Sequence, residues 1–547
     1  MQYDRKGNST AVFDIGLGIL FTFGAITLFE TIRKTIGCVM YSTLTKLWQG
    51  SGRTLLFICC LYQYVSAQQV LQIDRFEIPS PRDEQSFEVI TARENGVFLY
   101  RRLRGSNTDH IEIISLDTAF KEVWKGYLPV DRKYLLMSKR VENGQLYFLL
   151  RYQDFSKNNF ELFAIDQSNG NFLKYSIRNF IPFTPSEFQV TKNAAIIGGY
   201  YNQVPVVLYF SFQSEKSRVL PGLLNENGEL TQVKVNPDGT FDVLISARNY
   251  KGQQTVWIKN YDNEGNLQSN YSLEAEDSKH LIFARSIKTS NNMQLVAGVF
   301  GSRNSLYSRG LFLASIDPSG MQQVRYYNYG DLENFFKYMK AKREQRVKER
   351  IERRKVKGKR TRFSYRFLVH EIVPYKNQYV LLGEAFYPKY VSTSNSYGAF
   401  FSPNVAYNNY IRDGRIFDGY HYTHAVVMGF DQNGRLLWDN SFEINDVKTY
   451  TLEQFVKLEV QEDKIALLYL FDNELRTKII KDNQVLEGKT FEGIKANEAD
   501  LIAKKETGSN RLDYWYSNYF FAYGIQEISN PISGKRRVFF INKITCQ

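Results

Sequence analysis

Residues 424–442 read HAVVMGFDQNGRLLWDNSF and contain the pattern that decides the fold. An apolar run of strand character ends at Phe430, a polar D-x-x-G turn follows at Asp431–Gly434, and a further short run begins at Leu436. Aspartate caps a tight turn with its side chain, and glycine supplies the positive φ that a hairpin demands. The stretch therefore predicts two antiparallel strands joined by a hairpin.

The D-x-x-G element recurs, which indicates that the hairpin belongs to a repeated unit. It is found again at Asp262–Gly265 and Asp317–Gly320, and in a form one residue longer at Asp166–Gly170. These loops lack the alternating carboxylates of a calcium-binding loop. We therefore expect plain turns rather than calcium sites.

Apolar runs of strand character recur in eight pairs, and the first five pairs are spaced about fifty residues apart. The first members of the pairs lie at 97–100, 146–150, 194–201, 242–247, 294–300, 379–386, 464–471 and 519–525. The second members lie at 111–117, 160–166, 206–212, 255–262, 310–317, 424–431, 476–482 and 536–543. Strand–strand–turn–strand units of this length are typical of β-propeller blades.

The fold predicted is all-β, a propeller of seven or eight blades with eight preferred. The last pair has no obvious outer strand after Lys543, and residues 70–78, VLQIDRFEI, supply one. Pairing the two ends of the chain in one blade would cover the unpaired strand edges of an open array. The prediction is a ring over residues 68–547, closed by the N- and C-terminal strands.

The stretch FDQNGRLLWDNSF, residues 430–442, resembles the G-x-L-L-W repeats of quinoprotein-like and WD40-like blades. The resemblance extends over single blades and indicates no specific family. Quinoprotein enzymes typically need a calcium site and often a disulfide, and neither is supported here. We expect no cofactor.

Residues 53–69, RTLLFICCLYQYVSAQQ, have the anatomy of a signal peptide, with a positive flank, an apolar run and a small-residue cleavage site. We predict that residues 40–67 are the leader and that 1–39 are an over-extended gene start or a weak membrane anchor. The apolar run 15–29 is shorter than the roughly 20 residues that span a bilayer. The SAQQ junction resembles leaders of Bacteroidota exported proteins.

Removing the leader leaves Cys546 as the remaining cysteine, which excludes an internal disulfide and a cysteine-based zinc site. Export without disulfides favours a bacterial envelope protein. The localisation predicted is the periplasm, or the outer membrane and cell surface.

The net charge of +13 is concentrated in one insertion, residues 328–365. Between Asp331 and Arg362 there are 14 Lys/Arg and 5 Asp/Glu. Helix-forming residues and i,i+4 pairs predict a charged helix that projects from one blade, docked by Phe335, Phe336 and Met339. The binding residues predicted on it are Lys342, Arg343, Arg346, Lys348, Arg350, Arg353 and Arg354.

Two interpretations of this helix stay open. It is either a solvated helix without a ligand, or it contacts an acidic partner such as lipid headgroups, lipopolysaccharide, an acidic protein surface or polysaccharide. Nucleic acid would suit the charge equally well, but an exported protein rarely meets it.

The second insertion, residues 387–423, is an aromatic loop rich in Asn, Ser and Gly, a composition typical of recognition loops. It either binds a ligand or packs its own aromatic rings over the propeller face. The binding residues predicted in it are Tyr387, Tyr390, Tyr397, Phe400, Phe401, Tyr407, Tyr410 and Tyr420. We expect both insertions, from blades 5 and 6, to build one surface.

Few residues in the sequence are candidates for catalysis or metal binding. Asp418, His421 and His424 are candidate metal ligands, but an i,i+3 pair on an extended segment points to opposite faces. Glu384 is the one acid in an apolar strand of innermost type, so it either pairs with a cation or does acid–base work. No P-loop, G-x-S-x-G or H-E-x-x-H motif is present.

The function predicted is non-catalytic binding or scaffolding by a monomeric ring, in contact with an envelope protein complex or an acidic surface. The alternative is a carbohydrate-active enzyme, a glycoside hydrolase or lyase, that uses the central channel.

Overall fold

The eight apolar pairs form the central strands of eight separate antiparallel sheets, which are the blades of an eight-bladed β-propeller. This computed structural model describes residues 70–546 except 155–158, 179–180, 224–227, 277, 304, 306, 393–410, 413–414, 446, 506–509 and 533. The preference for eight blades is confirmed. The leader and the segment 1–39 lie outside the described residues.

The first four blades each contain four strands in chain order. Blade 1 has β2 (Glu88–Thr91), β3 (Val97–Leu103), β4 (Asp109–Leu116) and β5 (Glu122–Val130). Blade 2 has β6 (Tyr134–Glu142), β7 (Gln145–Tyr152), β8 (Asn159–Asp166) and β9 (Phe172–Arg178). Blade 3 has β10 (Thr184–Val190), β11 (Ala194–Tyr201), β12 (Val204–Ser211) and β13 (Ser217–Val219). Blade 4 has β14 (Gly228–Val235), β15 (Phe241–Arg248), β16 (Gln254–Tyr261) and β17 (Leu267–Ser272).

Blades 5 to 7 continue this pattern, with two short additional strands in blade 6. Blade 5 has β18 (His280–Lys288), β19 (Gln294–Gly301), β20 (Ser308–Ile316) and β21 (Gln322–Asn328). Blade 6 has β22 (Arg366–Tyr375), β23 (Gln378–Ser392), β24 (Ile411–Arg412), β25 (Arg415–Phe430), β26 (Leu436–Glu443) and β27 (Lys448–Thr449). Blade 7 has β28 (Lys457–Val460), β29 (Ile465–Phe471), β30 (Glu474–Lys481) and β31 (Gln484–Gly493).

Blade 8 combines the two ends of the described chain. It has β32 (Leu501–Lys505), β33 (Arg511–Tyr516), β34 (Tyr519–Asn530), β35 (Gly534–Cys546) and β1 (Val70–Pro79). The outermost strand is β1, which runs antiparallel to β35 with Val70 opposite Cys546. The N-terminal strand thus has the position that the sequence predicted for it.

Most second and third strands contain a central apolar run, because neighbouring blades cover both of their faces. One core cluster, for example, packs Leu149 and Leu162 of blade 2 against Ile197 and Leu208 of blade 3. The fourth strands have an exposed face, and the β5 side chains accordingly alternate between exposed and buried. The core of the ring therefore lies between blades.

The first strands of blades 1 to 6 contact one another in succession, as do those of blades 7 and 8, and the first strands surround the central channel of a propeller. The first strands of blades 2 to 6 contain a β-bulge, as do β32 and β33 of blade 8, and a bulge bends the strand and increases its twist. In blades 2 to 6 the bulges lie between Leu136 and Ser138, Pro185 and Glu187, Leu230 and Gln232, Leu281 and Phe283, and Val369 and Ile372. In blades 1 and 7 the first strand has only four residues.

Because neighbouring strands are antiparallel, the connections between blades and those between second and third strands lie on one face of the ring. We call this the insertion face, because residues 329–365 connect blades 5 and 6 and the second insertion lies between β23 and β25. The remaining connections lie on the opposite face.

The predicted turn chemistry is confirmed at the D-x-x-G elements. Asp317 Oδ1 accepts the backbone N–H groups of Ser319 and Met321, both at 2.9 Å, and Gly320 has φ +89°. The carboxylate thus stabilises its own turn. Among the described residues, no helix is long and apolar enough to cross a membrane.

Candidate binding face at blades 5 and 6

The first insertion is part of the core between blades 5 and 6. It contains two 3-10 turns, Tyr329–Asp331 and Phe335–Tyr338, and the helix α1, Ala341–Val356. Tyr329, Phe335 and Phe336 are at most 1% exposed and pack with core residues from both blades. The predicted docking by Phe335 and Phe336 is therefore observed, and the aromatic rings fix the insertion to the ring.

Polar contacts hold the same segment on the outermost strand of blade 6. The Asp439 carboxylate accepts the backbone N–H groups of Glu333 at 2.9 Å and Asn334 at 2.8 Å. The Ser441 hydroxyl donates to the backbone carbonyl of Asn334 at 2.8 Å. The chain entering α1 is thus held by hydrogen bonds as well as by apolar packing.

His424, a candidate metal ligand, lies in an aromatic site under the insertion. Its ring stacks on Tyr338 with centroids 3.7 Å apart, and Phe335 and Tyr365 approach it edge-on. Burial lowers the pKa of His424 to about 3, so the imidazole is uncharged at neutral pH. Its Nδ1 atom lies 2.9 Å from the Thr423 hydroxyl. The structure gives this histidine a packing role.

The sequence predicted a helix that projects from one blade, but α1 packs against the ring. None of its side chains is fully buried, but Val347 and Ile351 pack against the core shared by blades 5 and 6. Glu344 and Lys348 stand at i,i+4 and form an ion pair, with Lys348 Nζ 2.6 Å from the carboxylate. Lys342, Arg346 and Arg353 are exposed on the helical face away from the ring.

The chain reverses after α1 and brings further cations to its C-terminal end. Gly358 has φ +64°, and the Lys359 N–H donates to the Arg354 carbonyl at 2.8 Å. This reversal creates a concavity of about 430 Å³. Its lining is Arg350, Arg354, Lys359, Arg360 and Arg362, and we call it the cationic concavity.

The second insertion begins and ends as paired strands that extend the hairpin of blade 6. Strands β23 and β25 have 15 and 16 residues, whereas most second and third strands have eight or fewer. Tyr387 stacks on His421 at 5.4 Å, and Tyr390 contacts Phe417 at 5.6 Å. The described part of the insertion is therefore a hairpin with aromatic rings on it.

Tyr420 contacts Phe417 and Phe386 within this hairpin. Tyr387 remains 45% exposed and is therefore accessible for contact. The other five predicted aromatic residues lie outside the described part of the chain: Tyr397, Phe400, Phe401, Tyr407 and Tyr410.

Asp418 and His421 lie together, but lysines surround the carboxylate. Lys448 and Lys389 form ion pairs with it, and His421 Nε2 is 3.6 Å away. The hydrogen bond from Lys448 lowers the pKa of the Asp418 carboxyl. His424 is in the aromatic site, so the three candidate ligands do not converge. No group of three or more His, Cys, Asp or Glu suited to a metal occurs among the described residues.

Glu384 is fully buried on β23, the second strand of blade 6 rather than the innermost. Its Oε2 atom is 2.6 Å from His370 Nε2. Its Oε1 atom accepts the backbone N–H groups of Phe455 at 3.1 Å and Val456 at 2.6 Å. The carboxylate thus connects blade 6 to the segment that enters blade 7, away from solvent.

A second cavity, of about 740 Å³, lies on the insertion face where the first strands of blades 1, 7 and 8 meet. We call it the mouth cavity. The four-residue first strands of blades 1 and 7 leave this space open. Ion pairs across blade boundaries line it, including Arg511–Glu453 at 2.8 Å and Lys457–Asp513 at 3.1 Å. Lys448 lines it too and connects it to the aromatic hairpin through Asp418.

No protein-family model matches this chain, and no curated protein matches it. Among solved structures, a polysaccharide lyase, Uly1, is similar with TM-score 0.38 and 9% identity over 87% of this chain and 100% of that chain. The β-propeller domain of the Trilobed protease from Pyrococcus furiosus has TM-score 0.34 and 9% identity, over 74% and 98%. A eukaryotic initiation factor has TM-score 0.37 and 8% identity, over 85% and 90%. Likenesses this low carry no inference about function.

The structure brings Arg350 and Arg354, which were predicted from sequence, together with three cations that were not. Lys359, Arg360 and Arg362 follow the helix in the stretch KGKRTR. The available signal was Gly358, because glycine just beyond a helix end favours a reversal of the chain. The mouth cavity had no comparable local signal, since its residues come from five blades.

Proposed function

We propose that this propeller is a binding module, with no chemistry of its own, that contacts an acidic partner through its insertion face. The observation that carries the proposal is the fixation of α1 to the ring, which gives the helix and its row of cations a defined place on the insertion face. Tyr329, Phe335 and Phe336 anchor the insertion in the core between blades 5 and 6. A preorganised charged surface loses less conformational entropy on binding than a mobile one.

The charge of this surface supports an acidic partner. Of the predicted cations on α1, only Lys348 forms an ion pair in the described structure. Unpaired surface cations attract anionic surfaces over about a Debye length, roughly 8 Å at physiological ionic strength. The aromatic hairpin lies on the same face, and its exposed Tyr387 adds contact area beside the charges.

The partner is an acidic surface of the bacterial cell envelope, made of lipid headgroups, polysaccharide or an acidic protein complex. The leader predicted at residues 40–67 supports export to the periplasm or to the outer membrane and cell surface. In this proposal the protein acts as a monomeric ring, in which the closing strand β1 covers the edge of β35.

Charge reversal on the outer face of α1 tests the proposal. The test variant is Lys342→Glu/Arg346→Glu/Arg353→Glu, which changes exposed side chains and leaves the docking residues in place. The matched control reverses three exposed lysines on the opposite face: Lys121, Lys192 and Lys216. Binding is measured by sedimentation with anionic phosphatidylglycerol vesicles and with alginate, at low and at physiological ionic strength.

We expect the wild type to bind at least one of these probes, and binding to fall with added salt. The test variant should lose most of this binding and the control should keep it. Absence of binding to both probes, or equal losses in the two variants, would overturn the proposal. Deleting residues 331–362 is unsuitable as a test, because it would remove Phe335 and Phe336 from the core.

A carbohydrate-active enzyme that uses the channel is the second candidate, favoured by Glu187 on the first strand of blade 3. Desolvation raises the pKa of its carboxyl, and this carboxyl forms no hydrogen bond or ion pair within the described structure. A raised pKa suits a general acid. Turnover on a polysaccharide panel that disappears in Glu187→Gln would support this candidate, and no turnover by the wild type would exclude it for that panel.

A further inference from the structure

The cationic concavity differs from the other charged clusters of the ring because its charges have no counter-ions. Arg350, Arg354, Lys359, Arg360 and Arg362 form no ion pair with any described residue. In the mouth cavity, by contrast, Arg511 and Lys457 have carboxylate partners. Like charges at short range repel each other, so such a set favours an anion between them.

One donor in the concavity is already withdrawn from water without an acceptor. The Nε atom of Arg354 is buried and forms no hydrogen bond with the described chain. A buried donor without a partner costs free energy. Asp331 is not an acceptor for this nitrogen. It lines an adjoining cavity, and its Oδ2 atom accepts a hydrogen bond from Asn328 Nδ2 at 2.7 Å.

The side chains favour phosphate over other anions. Four of the five cations are arginines, whose planar guanidinium groups match the oxygens of phosphate with paired hydrogen bonds. The backbone reversal at Gly358 and the Lys359 N–H bond to the Arg354 carbonyl bring the residues that follow α1 back beside its last turn. The five side chains thus line one concavity.

Charge and volume set the number of phosphate groups. A phosphomonoester has about −1.5 to −2 charges at neutral pH, so one group would leave about three of the five cations uncompensated. The volume of about 430 Å³ accommodates more than one such group. We infer that the cationic concavity binds a ligand with two phosphate groups, presented on a soluble molecule or on a lipid headgroup. This inference rests on the proposed function and names the ligand chemistry of the same face.

Calorimetric titration with pyrophosphate, inorganic phosphate and citrate tests the inference. We expect pyrophosphate to bind about tenfold more tightly than inorganic phosphate, and more tightly than citrate, because citrate lacks phosphate oxygens. The variant Arg354→Gln/Arg360→Gln should weaken pyrophosphate binding about tenfold or more. The control Lys121→Gln/Lys192→Gln removes the same charge from the opposite face of the ring and should change it by less than about twofold.

Equal affinity for pyrophosphate and citrate, or equal losses in the two variants, would overturn the inference. Thermal denaturation shows whether each variant is folded. Vesicles with diacylglycerol pyrophosphate, which has two phosphate groups, are compared with vesicles of phosphatidic acid, which has one, at equal total phosphate. Preference for the pyrophosphate lipid that depends on Arg354 and Arg360 assigns a lipid headgroup, and pyrophosphate binding without this preference assigns a soluble ligand.

The two proposals fail separately. If pyrophosphate does not bind but the outer-face variant still loses vesicle or alginate binding, the binding function stands and the phosphate site is wrong. If pyrophosphate binds and the outer-face variant behaves as the wild type, the phosphate site stands and the outer face of α1 has no part in binding.

Discussion

His424 of blade 6 stacks on Tyr338 of the first insertion, with ring centroids 3.7 Å apart and ring planes 2° from parallel. The two residues are distant from each other in sequence. Their contact therefore joins the insertion to the blade that follows it in the chain. The insertion is thereby fixed at the end of its second 3-10 turn, directly before α1 begins.

Tyr338→Ala should loosen α1 without unfolding the ring. The change removes the stacked ring and the 3.2 Å hydrogen bond between the Tyr338 and Tyr365 hydroxyls. We expect a loss of about 2–4 kcal/mol in local stability, as for truncation of a large packed side chain. Amide hydrogen exchange should accelerate across Ala341–Val356, while β7 and β11 keep their protection. Equal acceleration throughout would contradict local fixation.

His424→Phe should reduce the acid sensitivity of the fold. Burial lowers the folded-state pKa of His424 to about 3, below the unfolded value near 6.5. The unfolded chain therefore binds the proton first, and stability is lost as pH falls from 6.5 towards 3. Between pH 7 and pH 4.5 the wild type should lose roughly 2–3 kcal/mol more than the variant. Urea denaturation at the two pH values measures this, and identical pH dependence would contradict it.

Glu459→Gln should reduce the loss of stability that the wild type shows as pH rises. This carboxyl is 3% exposed on β28, its Oε2 has no partner in the described chain, and desolvation raises its pKa to about 7. A raised pKa means that the folded state holds the proton, so stability is lost as pH rises from about 4.5 to 7. The free energy of unfolding of the variant, relative to that of the wild type, should be roughly 3 kcal/mol higher at pH 8 than at pH 4. Denaturation at both pH values tests this.

Arg75→Met should weaken closure of the ring. The Arg75 guanidinium is almost fully buried between β1 and β35, where it bonds to Glu77 at 2.6 Å, Asn542 at 2.8 Å and Gln526 at 2.9 Å. Removing it leaves buried acceptors without a donor, at a cost of about 3–5 kcal/mol. Thermal denaturation should show the loss, together with faster exchange of the β1 amides.

The matched control for closure is Arg82→Gln. Arg82 forms an ion pair with Glu527 near the same blade, but its side chain is 75% exposed. Exposed pairs contribute less than about 1 kcal/mol. Similar losses in the two variants would mean that the buried network has no special role in closure.

Glu384→Gln separates the structural role of this carboxyl from a catalytic one. The substitution weakens the contact with His370 and the bonds from Phe455 and Val456, and we expect a loss of about 2–4 kcal/mol. Partner binding should be unchanged at temperatures where the variant is folded. Full stability combined with loss of a polysaccharide-degrading activity would instead support catalysis.

The central strands of the blades could be predicted because their sequence reflects burial on both sides. Residues 146–150, LYFLL, form a continuous apolar run for this reason. The first strands have no such pattern. Tyr134–Glu142, YLLMSKRVE, mixes apolar and charged side chains because one side faces the channel, and its bulge shifts the alternation.

The candidate site was predicted less completely, since its geometry depends on contacts between distant segments. The charge run indicated that α1 is cationic, but the convergence of Arg350 and Arg354 with Arg360 depends on the reversal after Gly358. Likewise, no local pattern around His424 indicates that Tyr338 will cover it. The histidine therefore resembled a metal ligand in sequence.

The pairing of β1 with β35 makes the two ends of the described ring neighbours, with Val70 opposite Cys546. Each blade boundary is then formed by the same kind of face-to-face packing. This packing does not depend on the order in which the chain connects the blades. The architecture is compatible with circular permutation: a short linker between the ends and a new break at an exposed turn would leave every sheet intact. Blade 8 differs in connectivity alone, because the pairing of β1 with β35 replaces a covalent link between its third and its outermost strand.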